Sequence, residues 1–299
     1  IRDSITDGKN SPNPDISDLV MSEDLQKIFS ERRNDLMTRI DNGIVVIRSD
    51  YGYDGGRHEY RVADNFYYLT GFNQSGSVLV LGRDESYPYS LLLKKRTIRE
   101  GIYDGETPEF ESVMKTYKAD TVLVYDELNK IIEVSLRKGT SVYTDFEDSN
   151  LRNSITIIFN KLKSPEPLIK DIAPVIHEMR VNKDANETSR IQKAVDITGE
   201  AFVNACRICR PGVNEFEVEA MIEYIFRKYG SSMPAYESIV GSGPNTVTLH
   251  YSANSRKMED GDLLLMDIGA EYGYYCADIT RTIPVNGKFT REQREIYDL

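Results

Sequence analysis

The sequence predicts an α/β (α+β) protein built in two regions, and three observations carry that reading. Short β-rich runs interleave with helical segments up to about residue 160, as in a mixed α/β domain. Two prolines in Lys163-Ser-Pro-Glu-Pro167 then break the chain as a linker. Beyond them, two long helical patterns precede a group of strand-like runs. The 299 residues are 40% hydrophobic and 28% charged, which supports one large or two average cores.

Residues 1–21, rich in Asp, Pro, Ser and Asn with no apolar period, read as a flexible lead-in. Leu25, Ile28, Phe29, Leu36 and Ile40 then recur at helical spacing, with Ser22 as N-cap and Gly43 as a left-handed stop. Strands are expected at Ile44–Ile47, Phe66–Leu69, Ser77–Leu81, Ser90–Leu93 and Thr121–Tyr125. Helices are expected near Glu109–Tyr117 and Asp126–Leu136. The first domain so defined covers residues 22–162 and the second 168–299. In the second, Asn186–Arg210 is amphipathic, with Ile191, Ala194, Val195, Thr198, Ala201, Phe202, Ala205 and Ile208 on one face, and Pro211-Gly212 stops it. Asn214 caps another helix that ends at Gly230, and the charges from Glu217 to Lys228 read as its solvated face. Strand-like runs follow around Ile239–Gly241, Leu263–Gly269 and Tyr274–Pro284.

The charge balance, 37 Lys plus Arg against 48 Asp plus Glu, gives −11 and a field that repels phosphate backbones and anionic headgroups. No nucleic-acid partner is expected. The longest apolar runs, Ile44–Ile47 and Leu263–Met266, are far below the roughly 18 to 20 residues of a bilayer span, so no membrane partner is expected either. Three cysteines form no disulfide framework and lean towards a reducing, cytoplasmic setting. The chain opens at Ile1 rather than Met, which leaves a removed leader and a secreted or periplasmic location open. Cys206 and Cys209 fall near a helix end, where no N-terminal dipole lowers a thiol pKa, and read as small buried side chains rather than a redox or zinc pair.

The chemistry concentrates in Asp262–Val285. A hairpin turning at Tyr272-Gly273 sets Asp267 opposite Asp278 on one face of two antiparallel strands. Like charges so opposed are destabilising unless neutralised, and a cation does so economically. Two such carboxylates suit the metal spacing of two-metal hydrolases. Leu264, Met266 and Ile268 form the opposite, apolar face. The competing reading, one Asp exposed at a strand end or hydrogen-bonded to Thr280 or Arg281, stays open at this point. His250 lies 17 residues before Asp267, after a loop of Gly241, Ser242, Gly243, Pro244 and Asn245 that brings backbone close to a ligand. That loop lacks the Lys-Ser/Thr ending of a phosphate-binding loop.

Taken together, Pro234-Ala-Tyr236-Glu-Ser-Ile-Val-Gly-Ser-Gly243, Leu249-His250-Tyr251, Asp267-Ile-Gly-Ala and Ala277-Asp278-Ile-Thr-Arg-Thr282 resemble the aminopeptidase P and prolidase branch of the pita-bread metallopeptidases. Arg33-Asn-Asp-Leu-Met37, Asp64-Asn-Phe-Tyr-Tyr-Leu-Thr-Gly-Phe72 and Glu106 after Tyr103-Asp-Gly resemble the amino-terminal domain of that branch. The resemblance covers nearly all of the chain beyond about residue 22. It implies an aminopeptidase P-type amino-terminal domain followed by the first half of a pita-bread catalytic domain. It also implies hydrolysis of the amino-terminal Xaa-Pro bond of peptides, with a dipeptide-specific prolidase or a metal-less peptide-binding module as alternatives. Asp267 and Asp278 are then metal ligands, His250 contacts substrate and the tetrahedral intermediate, Tyr236 lines the substrate pocket, and Thr280 stands behind the ligands. The implied cofactors are two divalent ions, manganese first, with zinc or cobalt as alternatives. The implied partners are peptides with proline second and further copies of the chain, as a homodimer or larger homo-oligomer.

The family completes its metal site with one more His and two Glu. Neither His58 nor His177 matches that motif, so the intact protein is expected to continue beyond Leu299. Thr290-x-x-Gln293 opens a further helix shortly before that residue.

Overall fold

The computed structural model describes residues 19–51, 61–83, 87–162 and 169–299. Residues 1–18 of the expected lead-in, the loop holding His58 and the proline pair therefore lie outside the described residues. The chain forms two compact units, the first Val20–Asn182 and the second chiefly Lys183–Leu299.

In the first unit Ser22 caps α1 (Glu23–Arg39) as expected, its hydroxyl accepting from the Leu25 amide at 3.2 Å. The helix ends at Ile40 in extended backbone, so Gly43 is not its stop. Gly43 instead opens β1 (Gly43–Arg48), where a Cβ would fall 2.5 Å from the Tyr143 ring and 2.7 Å from the Ser141 carbonyl. Absence of a side chain serves close strand approach here, not a left-handed turn. A second correction is α2 (Asp64–Thr70), which replaces the strand expected at Phe66–Leu69. Asn65, Phe66, Tyr68, Leu69 and Thr70 are all buried, and an element buried nearly all round shows no period that tells helix from strand.

Next come β2 (Ser77–Gly82), β3 (Tyr89–Leu93), α3 (Ile98–Asp104), α4 (Phe110–Tyr117), β4 (Thr121–Val124) and α5 (Leu128–Arg137). The unit closes with β5 (Ser141–Thr144), α6 (Ser149–Leu162), β6 (Ile169–Asp171) and α7 (Ala173–Val181). The strands form one mixed sheet in the order β4-β3-β2-β1-β5-β6, antiparallel for β1-β2 and β2-β3 and parallel elsewhere. β2 and β3 are buried along their whole length, as strands covered on both faces are. Leu128, Ile131, Ile132 and Leu136 of α5, with Leu151 and Ile155 of α6, close one face over Ile44, Val46, Val78, Val80, Leu92 and Val142. Because β6 pairs with β5, residues up to Val181 belong to this unit. The passage to the second unit lies at Asn182-Lys183.

Two buried arginines of α1 tie α2 in place. Arg32 donates to the Tyr68 carbonyl at 3.2 Å and Arg33 to the Leu69 carbonyl at 2.9 Å. Their guanidinium carbons lie 4.1 Å from the Tyr68 ring centroid and 3.7 Å from that of Tyr89. The last carbonyls of a helix have no partner within it, so cations from a neighbouring helix complete the end of α2.

The second unit begins with α8 (Ala185–Ile208), capped reciprocally by Asp184 and Glu187, and α9 (Glu215–Lys228), capped by Asn214 and Glu217. Then follow β7 (Ile239–Ser242), a 3-10 turn at Gly243–Val247, β8 (Leu263–Ile268), β9 (Glu271–Tyr272), β10 (Tyr275–Cys276), β11 (Ile279–Pro284) and α10 (Arg291–Tyr297). Ala194, Ile197, Ala201 and Ala205 of α8 and Val218, Ile222, Ile225 and Phe226 of α9 pack on Val240, Leu264, Met266 and Ile268. Cys206 is exposed and Cys209 half-buried, which corrects the expectation that both are buried. Position 206 falls on the outer side of the last turn of α8. Burial pushes the Cys209 thiol up to about 11, so it stays protonated at neutral pH. Among the described residues no helix is long and apolar enough to cross a membrane.

Glu215, at the first position of α9, is fully buried. Its Oε1 accepts from the Ser242 amide (2.6 Å), the Ser242 hydroxyl (2.7 Å) and Asn245 Nδ2 (3.1 Å). Its Oε2 accepts from the Tyr251 hydroxyl and the Arg256 amide, both at 2.8 Å. Burial pushes this carboxyl's pKa up, but the hydrogen bonds together outweigh it and hold the group below its ordinary 4.5.

Replacing Arg33 by Ala is expected to cost about 1 to 3 kcal/mol in urea unfolding, because a buried carbonyl loses its charged donor. An unchanged midpoint would contradict this role. Glu215 is depressed in the folded state, so its stabilisation is complete above pH 4.5 and is lost as pH falls below that value. Glu215→Gln is accordingly expected to lower stability at pH 7 and to flatten its decline between about pH 5 and pH 3. Parallel stability curves for the two proteins over that range would show that Glu215 contributes none of the acid limb.

Candidate metal centre

β8 alternates as the sequence indicates. Leu264, Met266 and Ile268 are fully buried, while Leu263, Leu265 and Asp267 face the other way and are partly exposed. β8 is the central strand of a three-stranded antiparallel sheet, β11-β8-β7, so Asp267 has Ile239 on one side and Thr280 on the other. The expected pairing of Asp267 with Asp278 is thus corrected by two residues. The turn falls at Gly273-Tyr274, both with positive φ (55° and 74°), and Tyr272 pairs with Tyr275. Two central residues with positive φ match a two-residue hairpin turn that follows the strand twist. Anchors from α8 hold this register: Arg190 donates to the Gly273 carbonyl at 3.0 Å, and the Tyr275 hydroxyl donates to Glu187 at 2.7 Å. Side chains alternate with a period of two, so a slip of two leaves both aspartates on the same face.

Asp278 sits in the short bend between β10 and β11, and the two arms approach closely there. A Cβ on Gly269 would lie 1.8 Å from the Ala277 carbonyl oxygen and 3.2 Å from the Tyr236 ring. Only glycine admits this contact. The adjoining Ala270 amide is held by the buried Thr198 hydroxyl of α8 at 3.0 Å. Met233 to Tyr236 run alongside the same strand end, with the Ala235 amide donating to the Gly269 carbonyl at 2.8 Å and the Glu271 amide to the Met233 carbonyl at 3.1 Å.

That segment delivers Tyr236 to both acids. Its hydroxyl lies 2.6 Å from Asp267 Oδ1 and 3.0 Å from Asp278 Oδ1. The two carboxylate oxygens are therefore no farther apart than those two distances combined. A phenol has a single proton to donate, so one of the two contacts is left without one, and the cluster lacks positive charge. Burial, with the neighbouring Asp267 and Asp278, pushes the phenol's pKa well above its ordinary value of 10.0. Thr280 faces Asp267 across the strand pair, but the hydroxyl that meets both carboxylates is that of Tyr236.

His250 is exposed in the turn after the 3-10 segment, on the loop that leaves β7. His177 is exposed on α7 in the other unit. Among the described residues no three His, Cys, Asp or Glu side chains converge as a metal-holding group. Paired carboxylate oxygens around an under-supplied proton fit a hard divalent cation as part of its donor set. Sequence reasoning missed Glu215. Its one signal, an acid in the first turn of a helix, is common to many helices that carry no site.

Two family models match the chain. Residues 189–299 match metallopeptidase family M24, and residues 29–143 match the aminopeptidase P N-terminal domain. The chain is 36% identical over 298 residues to the Xaa-Pro aminopeptidase of Escherichia coli, covering 93% of this chain and 66% of that protein. It is 33% identical to the Xaa-Pro aminopeptidase of Haemophilus influenzae, covering 81% of this chain and 56% of that protein. Proline aminopeptidase P II from Yersinia pestis superposes with a TM-score of 0.83 at 33% identity, over 91% of this chain and 66% of that one. Pseudomonas aeruginosa aminopeptidase PepP gives 0.82 at 33% identity, over 91% and 65%. The chain thus spans at most about two thirds of the length of each of these relatives. An aminopeptidase P N-terminal domain followed by the start of a catalytic domain with paired aspartates identifies this chain as a member of metallopeptidase family M24, in its aminopeptidase P branch.

Proposed function

We propose that the whole protein is a metal-dependent exopeptidase that releases the amino-terminal residue from peptides with proline in second position. The observation that carries this reading is the convergence of Asp267 and Asp278 on the Tyr236 hydroxyl, within the region that matches family M24. Asp267 and Asp278 would form part of the donor set of two divalent ions, manganese first and zinc or cobalt as alternatives. Such ions polarise a scissile carbonyl and activate water.

This chain's own residues bind and orient. Tyr236 keeps the two carboxylates together and lines the pocket beside them, and Thr280 supports Asp267 from the neighbouring strand. His250 donates to the oxygen of the scissile carbonyl as negative charge develops there. The Xaa-Pro imide has no N–H and its ring fixes φ, so the pocket must accept a rigid bond that lacks a donor. The Val20–Asn182 unit is assigned to shaping substrate access and to contacts within a homo-oligomer. Among its described residues no metal-holding group occurs.

Three outcomes are expected in the whole protein. Asp267→Asn and Asp278→Asn each abolish manganese-dependent turnover while the metal-free protein keeps or gains thermal stability, since one of two close negative charges is gone. Unchanged activity in either variant would sink the ligand assignment. His250→Ala lowers kcat by about 10²- to 10³-fold, as loss of an oxyanion donor does, with bound metal unchanged. Loss of metal along with activity would make His250 a ligand instead. Longer Xaa-Pro-Xaa peptides are cleaved with manganese present, and cleavage confined to Xaa-Pro dipeptides would favour a prolidase.

A further inference from the structure

We infer that Glu215 is a positioning residue for His250, a role that rests on the proposed function above. The two oxygens of Glu215 between them hold both ends of the loop, and the shorter contacts sort by arm, Asn245 Nδ2 lying 3.1 Å from Oε1 and 3.5 Å from Oε2. Oε1 holds Ser242 and Asn245, on the side that precedes His250, while Oε2 holds Tyr251 and the Arg256 amide, on the side that follows it. Arg256 closes the ring by donating to the Ser242 hydroxyl at 2.9 Å and pairing with Asp262. Gly241 lies close under the loop, where a Cβ would be 3.1 Å from the Asn245 carbonyl and 3.4 Å from the Tyr251 ring.

His250 itself is exposed, and among the described residues no hydrogen bond holds its ring. Its location is therefore inherited from the two ends of its loop, and a single buried carboxylate at the start of α9 joins those ends. The chemistry of that carboxylate is specific. It offers two acceptor oxygens facing five donor groups, whereas an amide of the same size offers one oxygen and an NH2 group. Whichever way the amide turns, one arm of the loop faces a donor instead of an acceptor.

The test is a double-mutant cycle in the whole protein with manganese, using Glu215→Gln and His250→Ala. Displacement of a reacting group by about 1 Å costs up to about 10²-fold, so Glu215→Gln is expected to lower kcat by about 10- to 100-fold. KM and bound manganese should stay within about twofold, because the aspartates are untouched. In the His250→Ala background the same change should cost less than about twofold, since residues acting as a unit are not additive. Equal losses in both backgrounds, or loss of bound manganese, would overturn the inference.

A readout independent of turnover is the ring nitrogen NMR signals of His250, assigned by their absence in His250→Ala. They should broaden or split in Glu215→Gln while those of His177 do not change, and unaltered His250 signals would overturn the inference. If Glu215→Gln shows no cooperative melt, Tyr251→Phe, which removes one donor of the second arm, replaces it with the same expected directions. Absence of Xaa-Pro turnover in the wild-type protein would overturn the proposed function, and the NMR comparison would then decide the role of Glu215 alone.

Discussion

The close approach of two carboxylates on one face of a twisted hairpin is the constraint around which the second unit is arranged. Asp267 and Asp278 are like charges at close range, and such a pair is destabilising unless it is neutralised. The fold concentrates several devices on this contact. Gly269 lets the two arms meet, Thr198 of α8 holds the Ala270 amide beside it, and the segment at Met233 to Tyr236 brings a phenol between the acids. The apolar side chains of β8, Leu264, Met266 and Ile268, lie on the other face of that strand. A cation placed there would relieve the repulsion, as the proposed metal centre requires.

The core and the polar site divide along a single strand. Alternate residues of β8 enter the packing with α8 and α9, and those between line the acidic face, so the helices that stabilise the sheet also fix the orientation of its acidic side. α8 contributes twice more, through Arg190 to the hairpin turn and Glu187 to Tyr275. α9 contributes through Glu215, whose burial would be costly without its full set of donors. Rigid helices thereby carry the loop and the hairpin that hold His250 and the aspartates. A site of this kind needs precision that loops alone do not supply.

The first unit shows a different economy. Its sheet is buried on both faces in β2 and β3, and its buried or half-buried Arg32, Arg33, Arg48 and Asp148 join one element to another. Arg32 and Arg33 complete the end of α2, and the Arg48–Asp148 pair joins the end of β1 to the start of α6. A buried ion pair of this kind is worth less than its Coulomb attraction, since both partners lose water. What it adds here is a fixed relation between strand and helix.

Local pattern determined much of this protein. The caps at Ser22, Asn214 and Thr290, the apolar faces of α8 and α9, and the alternation of β8 follow from side chains a few residues apart, so they are legible in one dimension. The paired aspartates, His250 and Tyr236 were legible as candidates because their motifs are short and contiguous. Tertiary structure decided the rest. α2 reads as a strand because burial on nearly all sides erases its period, and Gly43 reads as a helix stop because its real neighbour, Tyr143, is a hundred residues away. Glycine fits either position of a two-residue turn, so the hairpin register waited on Arg190 and Glu187 to hold Gly273 and Tyr275. The roles of Glu215 and of the Tyr236 hydroxyl were invisible for the same reason: hydrogen bonds to residues tens of positions away leave no period in the sequence.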